Sequence, residues 1–120
     1  MIKTEIIRVN PEVPDEAALA QAAAILRRGG LVAFPTETVY GLGAVIYNRA
    51  SVKKIFTVKG RPGDNPLIVH IYREEQLNEL AREVPAAALV LARRFWPGPL
   101  TMILPKKESI PVEVSAGLPT

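Results

Sequence analysis

The stretch KGRPGDNPLIVH (59–70) places Lys59 and Arg61 two positions apart on a loop built with glycine and proline. It then runs into apolar residues and ends on His70, the only histidine in the chain. Lysine as a compact charge and arginine as a planar fork can neutralise successive phosphates. Asn65 precedes Pro66, which biases its backbone to an extended form that presents the amide beside the two cations. A solvated basic turn accounts for the same composition, with Lys59 favoured by the dipole of a preceding helix. His70 alternates with Val69 and Ile71 in LIVHI, where a lone histidine is more often a hydrogen-bonded packing residue than a ligand-binding one.

A second group of polar residues lies in FPTETVYGLG (34–43), where an apolar strand runs into Pro35. On an extended backbone Thr36 and Thr38 share a face. That sets two hydroxyls at the carboxyl end of a strand, the usual ligand edge of open α/β sheets. A β-branched strand continuing into a glycine turn fits the same residues. FWPGPLT (95–101) sets the only tryptophan just before Pro97-Gly98-Pro99 and reads as a rigid turn with a core anchor.

Other chemistries are excluded. GLGAVI (41–46) carries Ile46 where the dinucleotide fingerprint needs its third glycine, and neither a phosphate-binding P-loop nor a nucleophile elbow occurs. The chain has no cysteine, so disulfides, thiolate catalysis and cysteine-ligated metals are ruled out within it. Asp15–Glu16 and Glu74–Glu75 fall where helices begin, as carboxylates favoured by the dipole. A net charge of +3 in 120 residues suits a phosphate-bearing ligand but is weak for a charge-driven nucleic-acid binder. MIKTEIIRVN lacks the apolar core of a signal peptide, and PAAALVLA (85–92) is too short to span a bilayer. A cytoplasmic location follows as the default expectation.

The elements that must position these residues alternate in type. KTEIIRV (3–9) reads as a strand and PDEAALAQAAAILRRGG as a helix opened by Pro14 and Asp15 and stopped by Gly29 and Gly30. LVAF (31–34) reads as a buried strand, and SVKKIFTVKG as a helix with Gly60 at its C-cap. PLIVHIY (66–72) is the clearest strand, 73–84 and 85–96 read as helices, LTMIL (100–104) as a strand and the rest as an irregular tail. The order predicts one α/β domain over 1–120, with a twisted, mixed or largely parallel sheet and flanking helices. The closing GLPT has no cap, charge run or tail, which predicts that the domain is incomplete at its C-terminus.

FPTETVYGLG, KGRPGDNPLIVH, FWPGPLT and SAGLPT, in that order, resemble the N-terminal part of the YrdC-type threonylcarbamoyl-AMP synthase family, with the match running over essentially the whole chain. The resemblance implies a YrdC-like fold around a positively charged cavity. It implies conversion of L-threonine, bicarbonate and ATP to threonylcarbamoyl-AMP and pyrophosphate, for threonylcarbamoyladenosine modification of tRNA. Carried over by position, Lys59, Arg61, Asn65 and Thr120 resemble ATP contacts, and Thr38 and His70 resemble L-threonine contacts. Thr36 and Tyr40 would shape the pocket. No protein nucleophile is implied, and Mg2+ would accompany ATP as its counter-ion.

The family pattern continues past AGLPT into a Val-Arg-x-Pro segment and a Ser-x-Asn motif that complete the nucleotide site. The expectation is therefore that this chain alone is inactive or barely active, and that exposed apolar surface favours self-association. A carbamoyl-transfer domain of the hydrogenase-maturation type would carry cysteine-rich zinc motifs, which the sequence lacks. The alternative is a non-catalytic module that binds double-stranded RNA or tRNA through the basic cavity. It predicts steep salt dependence and indifference to threonine.

Overall fold

The computed structural model describes residues 3–120. Helix α1 (Glu16–Arg27) begins where the Asp15 carboxylate accepts from the Ala17 amide, with Glu16 in its first turn and Arg27 in its last. Both charges complement the helix dipole. Gly29 ends it at φ 79°, and its carbonyl accepts from Ser51 Oγ at 2.9 Å and Lys54 Nζ at 3.0 Å. That carbonyl fastens α1 to helix α2 (Arg49–Lys59). A Cβ on Gly29 would sit 2.9 Å from Asn48 Nδ2 and 3.1 Å from Ser51 Oγ, so space and backbone angle both demand glycine.

Helix α2 starts two residues before the predicted Ser51, because the Asn48 side chain accepts from the Ser51 amide and caps it. Gly60 closes it in the left-handed conformation, as its sequence position predicts. Val52 and Ile55 are buried on one face of α2. Val52 joins Ile110 and Val114 in the core, flanked by Ile46, Phe56, Leu67, Val69 and Leu80.

Strands β1 (Val32–Pro35) and β2 (Tyr40–Gly43) form an antiparallel pair in which Phe34 faces Gly41 and Pro35 faces Tyr40. The α/β class holds, with helices around a small sheet, but this ladder is antiparallel and is the only sheet among the described residues. Its strands are consecutive and joined by a tight turn, a local closure that a parallel pair cannot make. β1 is half-buried, not central: Val32 and Phe34 turn inward while Ala33 and Pro35 are exposed.

The other expected strands pair differently. Segment 3–9 forms no ladder. Segments 66–72 and 100–104 show the two-residue alternation of exposure that a strand would, yet neither joins a sheet among the described residues. The Leu67 amide bonds the Val114 carbonyl, and among the described residues the amides of 68–71 and 101–104 make no backbone bond. Alternation is a property of the chain itself, whereas a ladder requires a neighbour.

Helices fill the remainder. α3 (Gln76–Leu80) is shorter than the predicted 73–84, because Ala81 leaves the helix to bridge Lys106. α4 (Ala86–Phe95) follows Pro85 as expected. The Trp96 indole donates to the Leu100 carbonyl at 2.8 Å and closes the proline-rich turn. α5 (Val112–Ser115), a single turn within the expected irregular tail, brings Val114 into the core.

Candidate functional site

Beyond Gly60 the chain doubles back: the Arg61 amide bonds the Phe56 carbonyl at 3.0 Å, and Arg61 Nη2 donates to the Pro66 carbonyl at 3.2 Å. The guanidinium thus braces its own loop, while its Nε is buried without a partner. Such an orphaned donor on a charged group is costly unless something accepts from it. Lys59 is exposed in the last turn of α2.

At the hairpin, the Thr36 hydroxyl bonds the Val39 carbonyl and accepts from the Thr38 and Val39 amides. The expected extended run through Thr36 and Thr38 is therefore a side-chain-capped turn. The Thr36 oxygen is consumed in holding it, and Thr38 is left exposed at its tip.

The glycines of GLG serve packing. A Cβ on Gly41 would meet the Phe34 ring at 3.3 Å, and one on Gly43 at 2.8 Å. His70 also packs against this ring, edge-on to Phe34 with centroids 5.5 Å apart at 76°. His70 is on the exposed face of its segment together with Ile68, as the alternation predicts.

Two cavities adjoin here. The larger, of about 1010 Å³, is lined among others by Thr38, His70, Lys106, Ser115 and Thr120. The smaller, of about 410 Å³, is lined by Lys59, Arg61, Phe34 and again His70. The candidate residues therefore divide, hydroxyls on one side and cations on the other, with segment 66–70 and His70 as the shared wall. Asn65 is exposed on the loop and lines neither cavity. Tyr40, expected to shape the pocket, is 77% exposed and lines neither, because its place opposite Pro35 in the edge ladder turns it outward.

Three features lie outside the sequence reading. The buried Ser115 hydroxyl has no partner and lines the larger cavity. Lys106 lines it too, with its ammonium donating to the Ile110 carbonyl at 3.2 Å. Arg49 holds Glu113 through Nε and Nη2, the latter at 2.9 Å, and Lys53 adds a contact at 3.5 Å. Hydrogen bonding from Arg49, and then from the backbone of Glu113 itself, holds that carboxyl at about 2, well below its usual range. Arg49 is raised by the same bond. This fork ties α5, which leads to Thr120, to α2, which leads to Lys59. A hydroxyl two positions before Gly117 in VSAG is the available signal for Ser115; the ion pair spans 64 positions and has none.

Among the described residues no cluster of three or more histidine or acidic side chains is placed to hold a metal ion. No helix among them is long and apolar enough to cross a membrane.

Residues 24–120 match the profile of the Sua5/YciO/YrdC family, described as telomere recombination. The chain is 55% identical over 117 residues to a threonylcarbamoyl-AMP synthase of Pyrococcus abyssi, covering 98% of this chain and 34% of that protein. It is 55% identical over 107 residues to one of Bacillus subtilis, covering 88% of this chain and 31% of the relative. The crystal structure of P. abyssi Sua5 complexed with L-threonine superposes with a TM-score of 0.87 at 55% identity, over 89% of this chain and 32% of that one. The chain thus spans about a third of the length of these relatives. By its motifs, its fold and a profile match over most of its length, the chain belongs to the Sua5/YciO/YrdC family.

Proposed function

We propose that this protein forms threonylcarbamoyl-AMP from L-threonine, bicarbonate and ATP with release of pyrophosphate, and that the product serves threonylcarbamoyladenosine modification of tRNA in the cytoplasm. Its extensive identity to proteins named for that activity carries the reading. The L-threonine complex of a relative and the cavity shared by Thr38 and His70 support it.

In this reading the threonine amine attacks the carbon of bicarbonate, expelling water and giving a carbamate. A carbamate oxygen then attacks the α-phosphorus of ATP, and the bond to the bridging oxygen breaks as pyrophosphate leaves with the electron pair. Such a transfer depends on alignment and on neutralising charge, not on a protein nucleophile. Lys59 and Arg61 supply positive charge on the phosphate side, and the buried Arg61 Nε is a donor awaiting an acceptor. Thr38 and His70 hold threonine in the larger cavity they share, and Asn65, on the loop beside Arg61, and Thr120, which lines the same larger cavity, complete the nucleotide contacts. Mg2+ would accompany the triphosphate as its counter-ion, while Lys59 and Arg61 suit the phosphate oxygens and not the metal.

In this reading the 120 residues supply part of the site, with Lys59 and Arg61 in one cavity and Thr38 in the adjoining one, and are expected to turn over slowly or not at all. The test is ATP and L-threonine binding by calorimetry, beside threonine-dependent pyrophosphate release by a full-length form. Arg61→Ala is expected to weaken ATP binding by about 1.5–3 kcal/mol, roughly tenfold to over a hundredfold. Unchanged ATP affinity in a folded Arg61→Ala protein overturns the site assignment. Nucleic-acid affinity that collapses with salt and ignores threonine would favour the RNA-binding alternative.

A further inference from the structure

Among the described residues, two buried side-chain polar atoms have no hydrogen-bond partner: Arg61 Nε and Ser115 Oγ. Each such atom costs its desolvation, so each asks for an explanation. The two flank a single peptide group. The Pro66 carbonyl accepts from Arg61 Nη2 at 3.2 Å, and the Leu67 amide of the same peptide unit donates to the Val114 carbonyl at 2.9 Å. A trans peptide sets its carbonyl and its amide on opposite sides. Arg61 therefore stands on one side of the Pro66–Leu67 unit, and Val114, with Ser115 next in the chain, on the other.

Ser115 is only 3% exposed. Ala116 after it holds φ at 53°, the one left-handed non-glycine residue among those described, a conformation that persists where the surrounding fold dictates it. The chain then turns, with the Leu118 amide on the Ser115 carbonyl at 3.0 Å, and runs on to Thr120. Ser115 and Thr120 line the larger cavity and Arg61 the smaller, with Pro66, Leu67 and Val114 lining both. Arginine Nε can only donate, so its partner is an acceptor, and a serine hydroxyl can donate to the same kind of atom. Donors on two sides of one peptide unit suit a ligand that carries acceptor oxygens at several points along its length. Of the substrates proposed above, only the triphosphate has that form. Bicarbonate and the threonine carboxylate each present their oxygens at one carbon.

We propose that Ser115 is a phosphate contact, its hydroxyl donating to one oxygen of a polyphosphate chain whose other oxygens accept from Arg61. The identity of that chain as ATP rests on the functional reading above, whereas the demand for an extended oxyanion rests on the two unpaired donors. A hydroxyl without a partner in the free protein contributes to binding and not to folding, which separates a ligand contact from a packing residue.

Calorimetric titration of a full-length form with ATP, adenosine, inorganic tripolyphosphate and L-threonine tests it, beside urea unfolding without ligand. Ser115→Ala should weaken ATP and tripolyphosphate binding about tenfold or more, as for a lost hydrogen bond to a charged group. Its affinities for adenosine and L-threonine should match the parent's, and its ligand-free urea midpoint should equal or exceed the parent's. Ser115→Thr, which keeps the hydroxyl, should bind tripolyphosphate more tightly than Ser115→Ala. The proposal is overturned if Ser115→Ala binds tripolyphosphate as the parent does, or if it loses L-threonine alone, which moves the hydroxyl to the amino-acid side. It is equally overturned if ligand-free Ser115→Ala is destabilised with phosphate affinity intact, since the hydroxyl then has its partner within the fold. In the parent, tripolyphosphate should slow amide exchange across residues 115–120, and an unchanged segment overturns the proposal without any substitution. Failure of the ATP reading looks different. The parent then shows no threonine-dependent pyrophosphate release, while a tripolyphosphate affinity that Ser115→Ala still weakens upholds the contact.

Discussion

His70 meets the ring of Phe34 edge-on, with centroids 5.5 Å apart and planes at 76°. Phe34 in turn rests where Gly41 and Gly43 leave room for it. A chain of packing thus runs from the glycines of β2 through an aromatic ring to the histidine that walls both cavities. A T-shaped aromatic pair contributes about 0.5–1.5 kcal/mol beyond its buried area, which fixes the orientation of an otherwise exposed imidazole.

Gly43→Ala is expected to disturb that chain. Its new methyl would lie 2.8 Å from Phe34 Cε1, so the ring must shift. Overpacking of this kind costs about 1–3 kcal/mol. Urea unfolding should show the loss, and Gly41→Ala, with a 3.3 Å contact, should lose less.

On the proposed threonine reading, His70→Ala should raise the KM for L-threonine more than that for ATP. Phe34→Leu, which keeps apolar bulk but removes the aromatic edge contact, should shift the threonine KM in the same direction by a smaller factor. Initial-rate measurements varying each substrate in a full-length form distinguish the two. Equal effects on both substrates would remove His70 from the threonine side.

The Arg49–Glu113 fork predicts an acid-sensitive component of stability. The Glu113 carboxyl lies at about 2 in the folded chain, below the roughly 4.3 of an unfolded glutamate. The unfolded state binds the proton first as pH falls. The ion pair's contribution is thus fully present above the unfolded value and is lost progressively as pH drops towards 2. Urea midpoints across this window should fall less steeply for Glu113→Gln than for the parent chain.

Asn48→Ala removes the cap of α2 and should destabilise the chain by about 0.5–2 kcal/mol. Ser51→Ala should cost about 0.5–1.5 kcal/mol, because the Gly29 carbonyl it abandons keeps Lys54 as a donor. Denaturant unfolding of both variants measures the two effects, which act at one junction and should not add fully.

Local chemistry decided much of what was legible. Asp15 and Gly29 delimit α1, Gly60 ends α2 and Pro85 opens α4, each through interactions within a turn of its own position. The alternation of PLIVHIY placed His70 beside Ile68 on the exposed face, and the structure agrees. Thr36 shows the limit: two threonines spaced by one residue suggest an extended pair, but the first hydroxyl is claimed by the turn it caps. The shorter α3 has a similar cause, since Ala81 leaves the helix for a partner 25 residues away at Lys106.

By itself the sequence determined where α1 and α4 begin, where α1 and α2 stop, and the family, because those depend on neighbours a few positions apart or on motifs in order. Only the tertiary structure decided which segments pair, that β1 and β2 close on each other while 66–72 and 100–104 join no ladder among the described residues, and that Lys59 and Arg61 line one cavity and Thr38 and Thr120 another, with His70 lining both. The physical reason is that a ladder or a cavity wall is contributed by residues distant in sequence. No local preference encodes which distant partner arrives.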